Sequence, residues 1–384
     1  MWKGEDTMEA DEDLLMPRPA GMTVERAQKA EIYADYLYMH GAMTIDQLEA
    51  LAGMGSEETI RRILRDSKYA KSFQHAASLY EDGAWKKINR LKCWKLTTDG
   101  KRLVERYIYP GTEEWGYSSG KIKREPRRNT ERLIWMNEIV VAATKVGLNP
   151  LWMNVAVWLE RQGARTNGEM RKLWLERPPM MGVMKVDDRY VGMGLFTKKV
   201  SENGLVPLVM NAKRTFPKEL DMFRHNFSTI LFLPNDLYEA SLFTMSKLRY
   251  ERPALVRLPY EYCLDQPDKL AYVLQGERDG IFQPLLNRLA NEGWIVEETG
   301  PGEPYRWKAR KNGRVEYFDG TFGTPLAHLY NIVLNDTGRF GESEPGERVL
   351  YVVNEREAKD VSNVIRKIFK AQRKSPPICR VMDW

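Results

Sequence analysis

The apolar positions between residues 23 and 107 change period in a fixed order. In TVERAQKAEIYADYLYMHG, Ile32, Tyr33, Leu37 and Tyr38 form a helical stripe that stops at Gly41. TIDQLEALAGM begins with Thr44 and Gln47 at capping-box spacing and places Leu48 and Leu51 on one face. GSEETIRRILRDSKYAK predicts a third helix: Ser56 suits the N-cap, Glu57 and Glu58 suit its positive end, and Ile60, Ile63 and Leu64 form the apolar side. The pattern then turns strand-like. ASLYEDGAWKKINR breaks at Asp82–Gly83, a strong hairpin dipeptide, and LKCWKLT supplies a returning strand. From Thr98, read as an N-cap, a further helix puts Leu103, Val104 and Tyr107 on one face. Three helices, a basic hairpin and a closing helix are the order of a winged helix-turn-helix.

Beyond residue 119 the pattern changes twice. KIKREPRRNTER, residues 121–132, is dense in Lys and Arg around Pro126 and reads, with the two residues before it, as a basic linker over 119–132. From Leu133, strand-like runs broken by Gly and Pro alternate with helical stretches. LIWMNEIVVAATKVG, ELDMFRHNF, LYEASLFTMSKLRYE, PLAHLYNIVLN and one long stretch from PDKLAYVLQ to NEGW read as helices. YRWKARKNGRVEYFDG reads as a hairpin turned at Asn312–Gly313, and the C-terminal region as strand, helix, strand. This alternation predicts an α/β domain with a mixed sheet over residues 133–384, leaving open whether residues 263–345 continue the sheet or are an insertion. The expected whole is an α+β or α/β chain: a disordered acidic tail at 1–22, a winged helix at 23–118, a basic linker at 119–132 and the α/β domain at 133–384.

Composition narrows the partner class. The net charge of +6 is modest for 384 residues, but Glu5, Asp6, Glu9, Asp11, Glu12 and Asp13 make the start acidic against Lys3 alone, so the remainder is distinctly basic. A basic body points to a polyanion. No apolar run is long enough for a membrane span or an export signal, and Cys93, Cys263 and Cys379 form no CxxC pair. A cytoplasmic protein without membrane contact and without a cysteine-rich metal site is expected.

The candidate binding residues follow from reach and spacing. Arg61, Arg62, Arg65 and Lys68 fall on the solvent side of the third helix, where long cationic side chains meet phosphates and base edges in a major groove. The competing reading is a solvated face with Glu57/Arg61 and Glu58/Arg62 pairs. Lys86, Lys87, Arg90 and Lys92 occupy the hairpin, which Trp85 and Trp94 would stiffen, and Lys121, Lys123, Arg124, Arg127 and Arg128 make the linker a phosphate-following arm. The arm reads equally as a solubilising linker. Double-stranded DNA is the expected partner.

Catalytic signatures are sparse. The histidines His40, His75, His225 and His328 form no HxH or HExxH pattern, and the phosphate-loop, dinucleotide and nucleophile-elbow motifs are missing. His40 and His328 sit in apolar helical contexts, and Trp135, Trp152, Trp158 and Trp174 lie on apolar stretches; all read as structural. No cofactor or metal site is expected.

With the winged-helix pattern, the helix in RRNTERLIWMNEIVVAA and the strand pair in VMKVDDRYVGMGLFTKK, the chain resembles the replication-relaxation family of plasmids and conjugative elements. The resemblance covers the chain in order of elements. It implies a restriction-endonuclease-like α/β domain and a role in plasmid replication, conjugative transfer or their control, with replication or transfer proteins as further partners and a homodimer as an open option. Nucleases of that fold hold a divalent metal with an acidic residue on one strand and an acidic-x-Lys trio on the next. Asp187 or Asp188 matches the first and Lys198 the last, but Phe196 stands two before Lys198 and Thr197 two before Lys199. The trio is incomplete, so DNA binding is the leading expectation; a metal-dependent nuclease and a protein-binding scaffold are the alternatives.

Overall fold

A computed structural model describes residues 14–109, 127–154, 180–195, 227–234, 255–300, 303–325, 328–329, 332, 346–372 and 376–382. The fold mixes helices with three open sheets and divides into two compact units, Met1–Arg177 with Met181–Lys185, and Pro178–Met180 with Val186–Trp384.

The first unit opens with α1 (Val24–His40), β1 (Met43–Thr44), α2 (Ile45–Ala52) and α3 (Glu57–Ser67). Tyr33, Leu37 and Tyr38 are buried as their stripe predicts, joined by Ala27, Ala30 and Ala34, while Ile32 lies on the outer side at 37% exposure. The α2 capping box forms as spaced: Thr44 Oγ1 accepts from the Gln47 N–H at 3.2 Å, and the Gln47 side chain accepts from the Thr44 N–H at 3.1 Å. In α3, Ile60, Ile63 and Leu64 are fully buried.

A hairpin of β2 (Ala70–Glu81) and β3 (Ala84–Leu96) follows, and β1 adds to β3 to give the strand order β1-β3-β2. Asp82 and Gly83 both have positive φ, 51° and 77°, as a two-residue turn between right-twisting strands requires. The chain then enters α4 (Thr98–Leu103) and a π-helical turn (Val104–Ile108). The cap here is Thr97, not Thr98: Thr97 Oγ1 accepts from the Gly100 N–H at 3.0 Å, and the Thr97 N–H donates to the Tyr69 carbonyl at 2.9 Å. Val104 is fully buried, Leu103 only half-buried and Tyr107 exposed, so of the expected three-residue face only Val104 is buried, and Gly100 is buried as well.

Two further features of this unit differ from the expected division. Residues 14–22 are anchored at a few points: Met16 and Met22 are buried, the Leu15 and Met16 N–H groups donate to Glu31, and the Tyr69 hydroxyl donates to the Pro17 carbonyl at 2.6 Å. Helix α5 (Arg127–Lys145) belongs to this unit as well and packs on α2 and β2. Polar side chains that look like surface positions in the sequence make the junction. Asn137, with no solvent exposure, donates to the Ala42 carbonyl at 2.8 Å, and Gln47 Nε2 donates to the Ile134 carbonyl at 2.8 Å and to Glu138 at 2.5 Å. The pair β4 (Leu151–Asn154) and β5 (Met180–Val186) is antiparallel, with Trp152 buried.

In the second unit β6 (Arg189–Leu195), β7 (Phe227–Leu233) and β8 (Leu255–Pro259) pair in parallel. Three helices follow: α6 (Tyr260–Asp265), α7 (Pro267–Gln275) and α8 (Arg278–Asn291). The expected single long helix is broken at Gly276, whose φ of 81° ends α7 in the left-handed region. Strands β9 (Ile295–Glu298), β10 (Trp307–Lys311) and β11 (Arg314–Gly320) form an antiparallel meander turned at Asn312–Gly313. β12 (Glu347–Val352), α9 (Glu355–Gln372) and β13 (Ile378–Val381) extend it in parallel. Residues 295–320 therefore do not extend the sheet of β6, β7 and β8 but form, with β12 and β13, a separate mixed sheet of order β13-β12-β11-β10-β9. A fully buried ion pair, Arg257 to Glu357 at 3.3 Å, ties β8 to α9. The segment ELDMFRHNF, except for its last residue, Phe227, and the segment LYEASLFTMSKLRYE, together with Trp158 and Trp174, lie outside the described residues.

Candidate nucleic-acid interface

Because Ile60, Ile63 and Leu64 turn inward, helical periodicity leaves Arg61, Arg62 and Arg65 exposed on α3. Arg61 pairs with Glu57 one turn back, and Arg65 Nε meets Asp66 at 3.3 Å, while Asp66 also accepts from Arg26 at 2.8 Å. Arg62 has no carboxylate partner among the described residues. Exposed pairs of this kind contribute about 0–1 kcal/mol, so a phosphate can displace them at little cost. The helix ends at Lys68, exposed and left-handed at φ 61°.

The hairpin lysines divide into two groups. Lys86 sits between Glu81 at 3.4 Å and Asp82 at 2.7 Å; the Asp82 hydrogen bond, foremost, raises its pKa and lowers that of Asp82. Lys87, Arg90 and Lys92 are exposed and have no carboxylate partner among the described residues. Lys92 Nζ lies 5.8 Å from the ring of buried Trp94. Two further lysines lie on the hairpin: Lys95, which the sequence already places on the returning strand, and Lys71 on the strand before the turn. The strands shift register between His75 and Ala77, and beyond that bulge Lys71 lies directly opposite Lys95.

Helix α5 fixes the far half of the hairpin. Trp135 Nε1 donates to the Ser78 carbonyl at 2.6 Å, the Ser78 N–H donates to Glu131 at 3.2 Å, and the Trp85 and Trp135 rings meet at 4.5 Å. The base of α5 is locked to α1: Asn137 Oδ1 accepts from His40 Nδ1 at 2.9 Å, since the Asn137 amide nitrogen is committed to Ala42. Burial, only partly opposed by that hydrogen bond, drives the His40 pKa down to about 4, so the imidazole is neutral at physiological pH. Trp135 and His40 are structural, as read from the sequence.

Of the arm residues, Arg127 and Arg128 begin α5, whereas Lys121, Lys123 and Arg124 lie outside the described residues. The acidic pair considered for metal chemistry is exposed at the turn between β5 and β6. Asp187 has φ 50°, the conformation of Asp82 and Asn312 in two other turns, which accounts for an aspartate there; Lys198 lies outside the described residues. Among the described residues no three His, Cys, Asp or Glu side chains are grouped to hold a metal ion. His328 Nε2 meets buried Asp319 at 2.8 Å, and Asp319 also accepts from the Gly320 N–H at 2.7 Å. No helix among the described residues is long and apolar enough to cross a membrane.

Comparison with known proteins returns no match: no family model, no curated protein and no solved structure is similar to the chain.

Proposed function

We propose that the chain is a double-stranded-DNA-binding protein whose first unit is a winged helix, with α3 as the recognition helix and the β2–β3 hairpin as the wing. The order helix, strand, helix, helix, hairpin and the strand order β1-β3-β2 support that assignment of the unit. One observation carries the reading. The apolar side of α3 is wholly consumed by the core, so its opposite side offers Arg61, Arg62 and Arg65 to a polyanion, and the hairpin adds further carboxylate-free cations. Arginine on such a helix can read guanine edges bidentately, while the hairpin cations hold phosphates and set the register. Service to replication or transfer of a mobile element is proposed on the family resemblance alone, with the second unit docking partner proteins or a second copy.

The test is duplex binding by the full chain, followed by fluorescence anisotropy over a salt series. Binding is expected to weaken linearly in log salt, with a slope near 0.9 per phosphate contacted. Replacing Arg61, Arg62 and Arg65 together by Ala is expected to cost at least about tenfold in affinity and to flatten that slope. Salt-independent binding, or binding indifferent to the triple replacement, would remove the reading.

A further inference from the structure

We propose that Lys71 and Lys95, opposed across the base of the hairpin, and Lys68 at the end of α3 form a phosphate clamp that grips the backbone of the duplex contacted by α3. This deepens the DNA-binding reading and rests on it. The clamp lies at the hairpin base.

The first observation is the pairing itself. Lys71 and Lys95 are direct cross-strand partners, so their side chains leave the same face of the sheet. Directly opposed like charges destabilise a strand pair, and here the bulge between His75 and Ala77 creates the opposition. No carboxylate among the described residues neutralises either lysine; Lys95 Nζ instead lies 5.0 Å over the ring of Phe73. An anion bridging the two ammonium groups would turn this repulsion into a binding energy.

The second observation is rigidity. Thr97, two residues beyond Lys95, ties the strand end to the α3 terminus: its hydroxyl lies 3.1 Å from both the Lys68 and the Tyr69 carbonyls, and its N–H donates to Tyr69. Lys68 is itself fixed by the left-handed conformation that ends the helix. The backbones carrying the three ammonium groups are thus set before any ligand arrives, which reduces the ordering cost of binding.

The third observation is contrast. At the tip, Lys86 is occupied by Glu81 and Asp82, and Trp85 is packed on Trp135. The tip is therefore a strut held by α5; of the carboxylate-free cations, Lys68, Lys71, Lys92 and Lys95 lie toward the base, while Lys87 and Arg90 lie in the tip half. Lysine suits this role: a compact ammonium holds a phosphate as a point charge, without the planar fork that reads a base edge. The clamp should contribute affinity and salt dependence with little sequence preference.

The experiment measures duplex binding by the full chain over a salt series for Lys71→Gln, Lys95→Gln and Lys86→Gln, alongside the triple α3 variant. Each of the first two is expected to lower affinity severalfold and to reduce the log–log salt slope by about one. Lys86→Gln should leave the slope unchanged. Melting temperatures of Lys71→Gln and Lys95→Gln should equal or exceed that of the unmodified chain, because a like-charge opposition is removed. Unchanged slopes for both variants, with a normal loss in the α3 variant, would overturn the clamp and leave the DNA-binding reading standing. Absence of salt-dependent duplex binding in the unmodified chain would overturn both.

Discussion

Replacing Gly100 by Ala opposes two physical effects of known sign. In an open helix the change stabilises by about 0.8–1.0 kcal/mol, because alanine loses less backbone freedom on folding. At Gly100 an added Cβ would stand 2.0 Å from the Tyr69 carbonyl oxygen, 2.8 Å from its carbon and 3.0 Å from its Cα. All three are backbone atoms, so no rotamer change relieves the overlap. The Tyr69 carbonyl also receives the Thr97 N–H at 2.9 Å, so displacing it breaks the joint between the hairpin and α4. Overpacking costs about 1–3 kcal/mol, and each lost hydrogen bond about 0.5–1.5 kcal/mol. Less the propensity gain, the net is a loss of about 2 kcal/mol. Urea unfolding followed by tryptophan fluorescence should show it: with a slope of about 2 kcal/mol per molar, the midpoint of the first unit falls by about 1 M. A midpoint at or above that of the unmodified chain would refute the reasoning, since propensity alone predicts that result.

Three further outcomes are expected. Val104→Ala should cost about 2 kcal/mol by the same assay, because the side chain is fully buried, whereas half-buried Leu103→Ala should cost less than about 1 kcal/mol. Lys92→Ala should weaken duplex binding and lower its salt slope by about one while leaving the urea midpoint in place, since Lys92 is exposed. His40 has a folded-state pKa of about 4 against 6.5 for the free side chain, so the unfolded chain takes up the extra proton as pH falls. Stability of the first unit is full above pH 6.5 and should decline by at most about 3 kcal/mol toward pH 4, a decline that His40→Gln should reduce. Urea midpoints across that range measure it.

Local signals were legible in the sequence and long-range polar ones were not. The Thr44–Gln47 spacing, the Ile60–Ile63–Leu64 stripe and the Asp82–Gly83 dipeptide each specify structure within a few residues, and each formed as read. The candidate recognition face followed from them. The place of α5 did not, because Asn137 and Gln47 look like surface residues until their partners, 95 and 87 positions away, are known. The Asp82–Gly83 turn sets the register only as far as Ala77 opposite Ile88. Past the bulge every partner is displaced by one, so the Lys71–Lys95 opposition cannot be counted from the turn. The choice of Thr97 over Thr98 as cap likewise depends on the Tyr69 carbonyl, supplied from another element.

The hold of α5 on Ser78 also bears on how the chain is made. Strand β2 is an outer strand of its sheet, and an outer strand with open N–H and C=O groups is a template for pairing with another chain. At Ser78 both groups are taken by α5 side chains that are synthesised some fifty residues later, the N–H by Glu131 53 positions on and the carbonyl by Trp135 57 positions on. A ribosome adds about 5–20 residues per second, so for several seconds the hairpin exists without its cover. A nascent chain or a cloned fragment ending before residue 127 would carry that open edge and an uncovered Trp85, and such a piece should self-associate where one extending past residue 145 does not.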